Sequence, residues 1–421
     1  MMLVEFRVKN FRSFRDEHVL SLVASKDKTL ADTHTLPTGL AAVPRLLKSA
    51  ALYGANASGK SNLIKALQYM RAVVFESVAL PPGQPFAVQP FQLDVESSGL
   101  PTEFEVTFIL KGIRYQYGFA MTQQRIVSEH LLVYKAFKPQ RWFARRFDET
   151  TGKDVYDFGS GLKGQKNVWE TATRPNALFL SIAVQLNSEA LRPVFDWFTK
   201  GLVIINEQAP IAMQFSIQML KQADGRKQIL DFLSAADISL SDIDVVTRKV
   251  PGQTMRVDLM TGKTEVRAEE VEQDQLIFSH VTEKGNAKFD LMDESSGMRN
   301  LLFLAGPVLD ILRNGATLVI DELTSLHTLL VRELVRLFQR PEVNTGGAQL
   351  IFTTHDTSLL DAYGLFRRDQ IWFVEKKDDQ SSTLYSLLDY RPRKNEALER
   401  GYLQGRYGAV PMLSDNLGLT H

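Results

Sequence analysis

Apolar and polar residues alternate along the first part of the chain, a period of two that is typical of β-strands with one buried face. The alternation runs through residues 3–8 and again through residues 18–23. Residues 104–110 and 115–119 alternate on either side of a Lys-Gly turn, which predicts a β-hairpin. Strand-like sequence continues to about Phe158. The pattern therefore predicts an antiparallel β lobe in this part of the chain.

Helical periodicity first appears after a short buried strand. Residues 49–53 are small and apolar, which predicts that strand, and they lead into a glycine-rich turn. From Ser61 the apolar residues recur at helical spacing until a Pro-Pro-Gly sequence at 81–83 ends the helix. Helical spacing returns over residues 177–236, and a polar, strand-rich stretch covers residues 245–289.

The last part of the chain alternates between helices and strands. We predict a helix over 298–313, a strand over 317–320, a helix over 329–339 and a strand over 349–353. Strands that alternate with helices are typical of a parallel sheet covered by helices, so the predicted fold class is α/β.

A glycine-rich sequence between the strand at 49–53 and the following helix has the form G-x-x-x-x-G-K-S. Such a loop directs backbone N–H groups at phosphate oxygens at the start of a helix. Lys60 would reach the β- and γ-phosphates, and the hydroxyl of Ser61 would bind magnesium. The residues predicted to bind the nucleotide here are Gly54, Asn56, Ala57, Ser58, Gly59, Lys60, Ser61 and Asn62.

Two acidic residues, Asp321 and Glu322, follow the apolar strand at 317–320. Ligands of parallel sheets bind at the carboxyl ends of the strands, where these two residues would lie. We predict that Asp321 holds magnesium and that Glu322 orients or deprotonates the attacking water.

Composition and charge limit the classes of function that the chain can have. The chain has 421 residues, 49 basic and 49 acidic, so its formal net charge is zero, and any nucleic-acid contact must be local or made through a partner. The sequence contains no cysteine, which excludes disulfides and a thiolate nucleophile. Because it has neither a signal peptide's apolar core nor an apolar run of about 20 residues, we expect a cytoplasmic protein without membrane contact.

The sequence from Glu294 to Met298 opens the helix before the two acids and resembles the signature of ABC-type ATPases. The resemblance implies that Ser295 and Gly297 contact the γ-phosphate bound by a second subunit, so that two ATP sites form in a head-to-head homodimer. It also implies that His355, after the strand at 349–353, senses the γ-phosphate. Gln185 would be the glutamine that reaches the magnesium and the attacking water.

The opening residues 9–14, Lys-Asn-Phe-Arg-Ser-Phe, resemble the start of the RecF/SMC/OLD-like branch, which implies that Arg12 lies near the phosphates. Residues 401–411 together with the signature resemble the AbiLii/RloA-type ATPases of phage defence and abortive infection. That resemblance implies a protein effector partner of the nuclease type. The loop with Thr324 and Ser325 is one residue shorter than in that family, which puts its role at the dimer interface in doubt.

The predicted organisation is an ABC-type core interrupted by an insertion. Residues 1–180 would form the N-terminal part of the core with the β lobe, residues 181–290 an inserted helical and strand-rich lobe, and residues 291–421 the rest of the core.

Two stretches leave alternatives open. Basic and aromatic residues share positions 134–146, which is consistent with a nucleic-acid contact or with an exposed hairpin that has a charged face. The glycines and tyrosines of residues 401–411 indicate a docking surface or a tight terminal turn.

The function predicted is that of an ATP- and Mg²⁺-dependent switch that hydrolyses ATP with Glu322, Gln185 and His355 and controls a partner in anti-phage defence. A nucleotide-gated scaffold with little turnover and a RecF-like DNA-repair ATPase remain alternatives.

Overall fold

The computed structural model describes residues 1–205, 210–257, 264–323, 326–393 and 396–411. The chain divides into two compact units. The first unit comprises Met1–Glu207, Ile311–Thr324 and Val331–His421, and the second comprises Gln208–Asp310 and Ser325–Leu330. The segment boundaries at 180 and 290 stay a prediction.

The strands and helices of the described residues are numbered in chain order. The strands are β1 (Met2–Lys9), β2 (His18–Ser21), β3 (Thr35–Leu40), β4 (Val43–Leu47), β5 (Ser49–Tyr53), β6 (Thr102–Leu110), β7 (Ile113–Met121), β8 (Ile126–Tyr134), β9 (Gln140–Asp148), β10 (Lys153–Phe158), β11 (Leu202–Ile205), β12 (Asp242–Val257), β13 (Thr264–Thr282), β14 (Gly285–Asp290), β15 (Thr317–Ile320), β16 (Gln349–Thr353), β17 (Ile371–Lys376) and β18 (Ser382–Ser386). The helices are α1 (Ala31–His34), α2 (Lys60–Glu76), α3 (Val95–Gly99), α4 (Lys166–Ala172), α5 (Phe179–Gln185), α6 (Arg192–Asp196), α7 (Pro210–Leu220), α8 (Ala223–Ser234), α9 (Ser296–Asn314), α10 (Thr328–Gln339) and α11 (Leu398–Leu403).

A six-stranded sheet forms the centre of the first unit, in the order β11-β15-β16-β5-β17-β18. All neighbouring pairs are parallel except β17 with β18. Every residue of β5, β15 and β16 is buried, which explains their continuous apolar sequences. The carboxyl ends of these three strands lie at one edge of the sheet, so the glycine-rich loop, the two acids and His355 meet there. The predicted α/β fold with a phosphate-loop core is confirmed.

A seven-stranded antiparallel sheet of order β10-β9-β8-β7-β6-β1-β2 belongs to the same unit and confirms the predicted β lobe. Its alternating residues pack in the core, where the ring of Phe108 stacks on Trp197 with centroids 4.3 Å apart. A buried carboxylate of β8, Glu129, accepts hydrogen bonds from the backbone N–H groups of Phe179 and Leu180 at the start of α5. The sheet therefore caps the helix that ends at Gln185.

Buried charges stabilise this cap. The guanidinium of Arg145 lies 2.9 Å from Asp154 and 3.9 Å from Glu129, and its Nη1 donates to the carbonyl of Ala177 over 2.7 Å. Burial raises the pKa of Glu129, and the charge of Arg145 opposes this shift. Arg145 is therefore a core residue, which removes it from the basic stretch predicted to be exposed.

The second unit contains the antiparallel sheet β12-β13-β14 together with helical segments. Ser216 of α7 donates a 2.8 Å hydrogen bond to the carbonyl of Leu302 in α9. The two helices approach closely because Gly306 faces Ser216, and a Cβ at position 306 would lie 2.7 Å from the Ser216 hydroxyl. The second unit thus contains both helices and strands, while the bounds predicted for the inserted lobe stay a prediction.

Some elements differ from the sequence prediction. β11 lies within the stretch predicted as helical, because a run of four apolar residues fits a buried strand and a helix equally well. β17 and β18 were not predicted. Within the described residues, no helix is long and apolar enough to cross a membrane.

Candidate nucleotide-binding site

The glycine-rich loop joins β5 to α2, as predicted from the sequence. Gly59 has φ 114°, a backbone conformation that residues other than glycine rarely adopt. A Cβ at this position would also collide with the side chain of Ser382. Gly54 lies against the backbone carbonyl of Val374 in the neighbouring strand β17, where a Cβ has no room either. Both glycines of the pattern are thus required by the local packing.

Lys60 begins α2 and is buried. Its ammonium group donates hydrogen bonds to the carbonyls of Gly54, at 2.8 Å, and Ala55, at 3.0 Å. Burial lowers the pKa of Lys60 to about 8, while the charges of Glu322 and Asp321 oppose the shift. The ammonium group therefore lies over the loop, in the position where the loop's backbone would cradle phosphates.

Ser61 and Asp321 come together although they are far apart in sequence. The Ser61 hydroxyl donates to Oδ1 of Asp321 over 3.1 Å, and the Thr353 hydroxyl donates to the same oxygen over 3.0 Å. Mg²⁺ prefers oxygen ligands in an octahedron of radius about 2.05 Å, for which adjacent ligands lie about 2.9 Å apart. The separation of Ser61 Oγ and Asp321 Oδ1 fits this geometry, so the two residues can hold a magnesium ion.

Glu322 follows Asp321 with φ 67°, in the left-handed region that costs a non-glycine residue about 1 kcal/mol. Two interactions with Thr353 hold this turn. The backbone N–H of Glu322 donates to the Thr353 hydroxyl over 2.7 Å, and the N–H of Leu323 donates to the Thr353 carbonyl over 3.2 Å. The turn exposes the side chain of Glu322 at the edge of the sheet.

His355 is close enough to Lys60 and Glu322 for their charges to shift its pKa. Partial burial lowers its pKa, the charge of Lys60 lowers it further, and Glu322 opposes the shift. His355 is therefore neutral near pH 7, when its ring can donate a hydrogen bond from one nitrogen and accept one at the other.

A hydrogen-bonded cluster under the loop was not predicted from the sequence. Asn62 Nδ2 donates to Ser13 Oγ over 2.8 Å, and the hydroxyls of Ser13 and Ser382 lie 2.8 Å apart. The Ser382 hydroxyl also donates to the carbonyl of Ser58 over 2.6 Å. The cluster joins the loop to the turn after β1 and to β18. Ser13 lies within the opening motif at residues 9–14, where only Arg12 was assigned a role. No sequence motif marks Ser382, since serines in edge strands are common.

Arg12 occupies the turn after β1 with φ 51°, and its side chain is exposed. Its backbone N–H donates to the carbonyl of Gln89 over 2.8 Å. Because the next residue, Ser13, contacts Asn62, Arg12 is one residue away from the loop's hydrogen-bonded cluster. Its contact with phosphates stays a prediction.

Gln185 ends α5, and its side chain is exposed. One turn earlier, Ser181 donates a 2.6 Å hydrogen bond to the carbonyl of Val74. Val74 lies about 21 Å along α2 from Lys60 at a rise of about 1.5 Å per residue. The described contacts thus tie α5 to the far end of α2, and the magnesium role of Gln185 stays a prediction.

Ser295 and Gly297 lie at the start of α9. The Ser295 hydroxyl accepts a 3.2 Å hydrogen bond from the N–H of Met298, which makes Ser295 the N-terminal cap of the helix. A Cβ at Gly297 would meet nothing within 4 Å, so this side of the first turn is open. Helix N-termini with open backbone favour anions. Thr324 and Ser325, predicted for the dimer interface, lie outside the described residues.

The tyrosines of residues 401–411 pack against β17 and against β5, the strand that precedes the loop. The ring of Tyr402 stacks on Phe373 at 5.4 Å and meets Tyr53 edge-on at 6.0 Å. Gly401 leaves room for Tyr407, whose atoms would lie 2.8 Å from a Cβ there. The tyrosines are largely buried, which favours the tight terminal turn over the docking surface.

The fold and this edge of the sheet define an α/β protein with a phosphate loop after one buried strand and two acids after another. Residues 49–361 match the family described as "AAA domain, putative AbiEii toxin, Type IV TA system". The match spans more than half of the chain, so the chain belongs to this family. The resemblance to Abi-type ATPases inferred from the motifs is thereby confirmed.

Two solved structures are similar to this chain. The SMC head domain from Thermotoga maritima shares 14% identity, with 92% of this chain and 99% of that chain covered and a TM-score of 0.42. The SmcHead bound to the C-winged helix domain of ScpA also shares 14% identity, with 92% and 97% covered and a TM-score of 0.42. No curated protein matches the chain.

Proposed function

We propose that this protein binds ATP with Mg²⁺, hydrolyses it and uses the cycle as a conformational switch. The observation that carries the proposal is the convergence of Ser61, Asp321 and Thr353 beside Lys60. One carboxylate and one hydroxyl at octahedral spacing, next to a buried ammonium group, suit a metal that is also held by nucleotide phosphates.

The residues at the sheet edge would have separate roles in phosphate binding, metal binding and hydrolysis. The loop from Gly54 to Ser61 would hold the phosphates through backbone N–H groups, with Lys60 on the β- and γ-phosphates. Ser61 and Asp321 would hold Mg²⁺, which when bound neutralises charge on the phosphates. Glu322 would accept a proton from the attacking water, because its side chain is exposed at this edge. His355 would donate a hydrogen bond to the γ-phosphate.

The site would be completed by a second copy of the chain. Ser295 and the open face of Gly297 at the start of α9 would contact the γ-phosphate bound by the partner subunit, and the loop with Thr324 and Ser325 would cross the interface. The support for this arrangement is the capped, open helix N-terminus and the resemblance of its sequence to ABC-type signatures. Arg12 and Gln185 would approach the phosphates and the magnesium in the closed dimer.

We place this switch in a cytoplasmic anti-phage defence system, where it would control a nuclease-type effector. Membership in the family described as "AAA domain, putative AbiEii toxin, Type IV TA system" supports this role. ATP-dependent binding of a nuclease encoded by a neighbouring gene would support the proposal. Equal binding with and without hydrolysis would favour a nucleotide-gated scaffold.

Replacing Glu322 by Gln tests the proposal. The E322Q chain should bind ATP with Mg²⁺ like the parent, lose at least about 100-fold in turnover and accumulate as a dimer with ATP but not with ADP. Phosphate release measures the turnover, and light scattering after size exclusion measures the dimer. Exposed Glu149 provides a control, since E149Q should behave like the parent. If E322Q hydrolyses ATP at the parent's rate, the assigned role of Glu322 is wrong.

A further inference from the structure

One end of the seven-stranded sheet collects exposed cations. Arg114 pairs with Tyr134 in the register of β7 and β8, and Val133 pairs with Gln140 in the register of β8 and β9. The turn between β6 and β7 and the turn between β8 and β9 therefore lie at the same end of the sheet. We call this region the basic end, and it is defined by Lys111, Arg114, Lys135, Phe137, Lys138 and Arg141.

The charge of the basic end is largely uncompensated. Lys111, Lys135 and Lys138 are exposed in the two turns, and neither turn contains an acidic residue. Arg141 pairs with Asp157 over 3.1 Å. At the opposite end of the sheet, the turn between β9 and β10 carries Glu149 instead. In a chain of zero net charge, this local excess of cations favours a polyanionic ligand.

Aromatic groups accompany these cations. Phe137, at the tip of the turn between β8 and β9, has 74% of its surface exposed. The guanidinium of Arg114 lies 3.7 Å from the centroid of the Tyr134 ring. Together with Leu40 and Ala42, these three residues line a largely apolar cavity of about 270 Å³. Exposed aromatic rings among lysines form the usual surface on which unpaired nucleobases stack.

We propose that the basic end binds single-stranded nucleic acid. The phosphates of the strand would contact Lys111, Lys135 and Lys138, and an unpaired base would stack on Phe137 or enter the cavity beside Tyr134. The residues that do this coincide only in part with the basic aromatic stretch at residues 134–146. Trp142 and Arg145 are buried and take no part, whereas Lys111 and Arg114 join from another hairpin.

The exposed aromatic ring and the apolar cavity favour single-stranded nucleic acid over a duplex or an anionic membrane. A duplex hides the faces of its bases, so it would gain nothing from Phe137 and the cavity. An anionic membrane could take up one phenylalanine and several lysines, and vesicles are therefore one arm of the test.

The experiment measures binding of the full chain to a fluorescein-labelled oligothymidylate of about 20 nucleotides by anisotropy, without added ATP. Lys135→Gln/Lys138→Gln should weaken binding roughly tenfold at low salt and lower the slope of log affinity against log salt by about 1 to 2. Phe137→Ala should weaken binding roughly tenfold with an unchanged slope, because it removes stacking and no charge.

Matched controls separate this surface from general electrostatics. Lys26 and Lys28 are exposed in a loop of the same unit, and K26Q/K28Q should bind like the parent. All variants should keep the parent's urea unfolding curve, which shows that they are folded and keeps the result independent of the proposed function. The proposal is overturned if K26Q/K28Q and K135Q/K138Q lose equal affinity, if a duplex of equal length binds more tightly, or if phosphatidylserine vesicles bind and the oligonucleotide does not.

Discussion

The hydroxyl of Ser61 lies 3.1 Å from Oδ1 of Asp321, and Thr353 donates to the same carboxylate oxygen. Two oxygen atoms at this spacing would suit a magnesium site that has one carboxylate and leaves most positions for water and phosphates. The protein alone would therefore bind the metal weakly, and nucleotide and metal should bind together.

Asp321→Asn tests this coupling. The variant keeps an oxygen that can accept from Ser61 and Thr353 but removes the charge, so the fold should be retained. We expect Mg²⁺ to lose its effect on nucleotide affinity and turnover to fall at least about 100-fold. Titration of a fluorescent ATP analogue with Mg²⁺ and with EDTA measures the effect. Asp378→Asn, at an exposed position, should keep the parent's response to Mg²⁺; the same response in D321N would contradict the assignment.

Lys60 should make nucleotide binding depend on pH. Its pKa is lowered to about 8 by burial, and phosphates beside it would raise the pKa again. Affinity should therefore be full below about pH 8 and fall as the pH rises through that value, since binding then requires uptake of a proton. In the free protein the sign is reversed: between about pH 8 and pH 10.5 the unfolded chain holds the proton, so stability increases with pH.

The Lys60→Arg variant provides the control for this profile. Its guanidinium stays charged throughout, so its nucleotide affinity should be flat between about pH 7 and pH 9 even if it is lower overall. Calorimetry in buffers of different ionisation enthalpy measures the proton taken up. An identical pH dependence in K60R and the parent would show that another group titrates.

Gly59→Ala should abolish nucleotide binding while most of the stability remains. The added Cβ would collide with Ser382 and displace the hydrogen-bonded cluster that holds the loop. Gly39→Ala is the matched control, because Gly39 also has positive φ, at 74°, but faces open space, and it should cost only about 1 kcal/mol. Nucleotide titration and urea unfolding measure the two effects. Normal ATP binding by G59A would show that the cluster does not position the loop.

Arg145→Met should destabilise the first unit by roughly 3–5 kcal/mol, because buried Glu129 would lose its charged partner. Asp154 would keep its ion pair with Arg125 at 2.6 Å. Burial already raises the pKa of Glu129, and loss of Arg145 would raise it further. A raised carboxyl pKa means that the folded state binds the proton more tightly, so the difference from the parent should shrink as the pH falls from about 7 toward 5. Urea unfolding at both pH values measures this; a constant difference would argue against a charge effect.

The sequence predicted the parts of the site that obey local rules. The loop at Gly54–Ser61 has a required pattern of small residues, and Asp321 and Glu322 follow an apolar strand that must be buried. Ser382 could not be predicted, because its role depends on β18 pairing beside the loop rather than on its neighbours in sequence. Arg145 was misplaced for a similar reason. An arginine between aromatics suggests an exposed hairpin, whereas the structure buries it against Glu129 from the adjacent strand.

The strand order of the central sheet also affects how the chain folds while it is being synthesised. β5, which carries the loop, lies between β16 and β17, and Ser61 precedes Asp321 by 260 residues. At a synthesis rate of about 5–20 residues per second, β5 leaves the ribosome roughly 15–60 s before β16 and β17 can pair beside it. During that interval an apolar strand with both edges free needs protection from aggregation. Newly made protein should therefore acquire nucleotide binding late, and nascent chains that end before β16 should depend on chaperones.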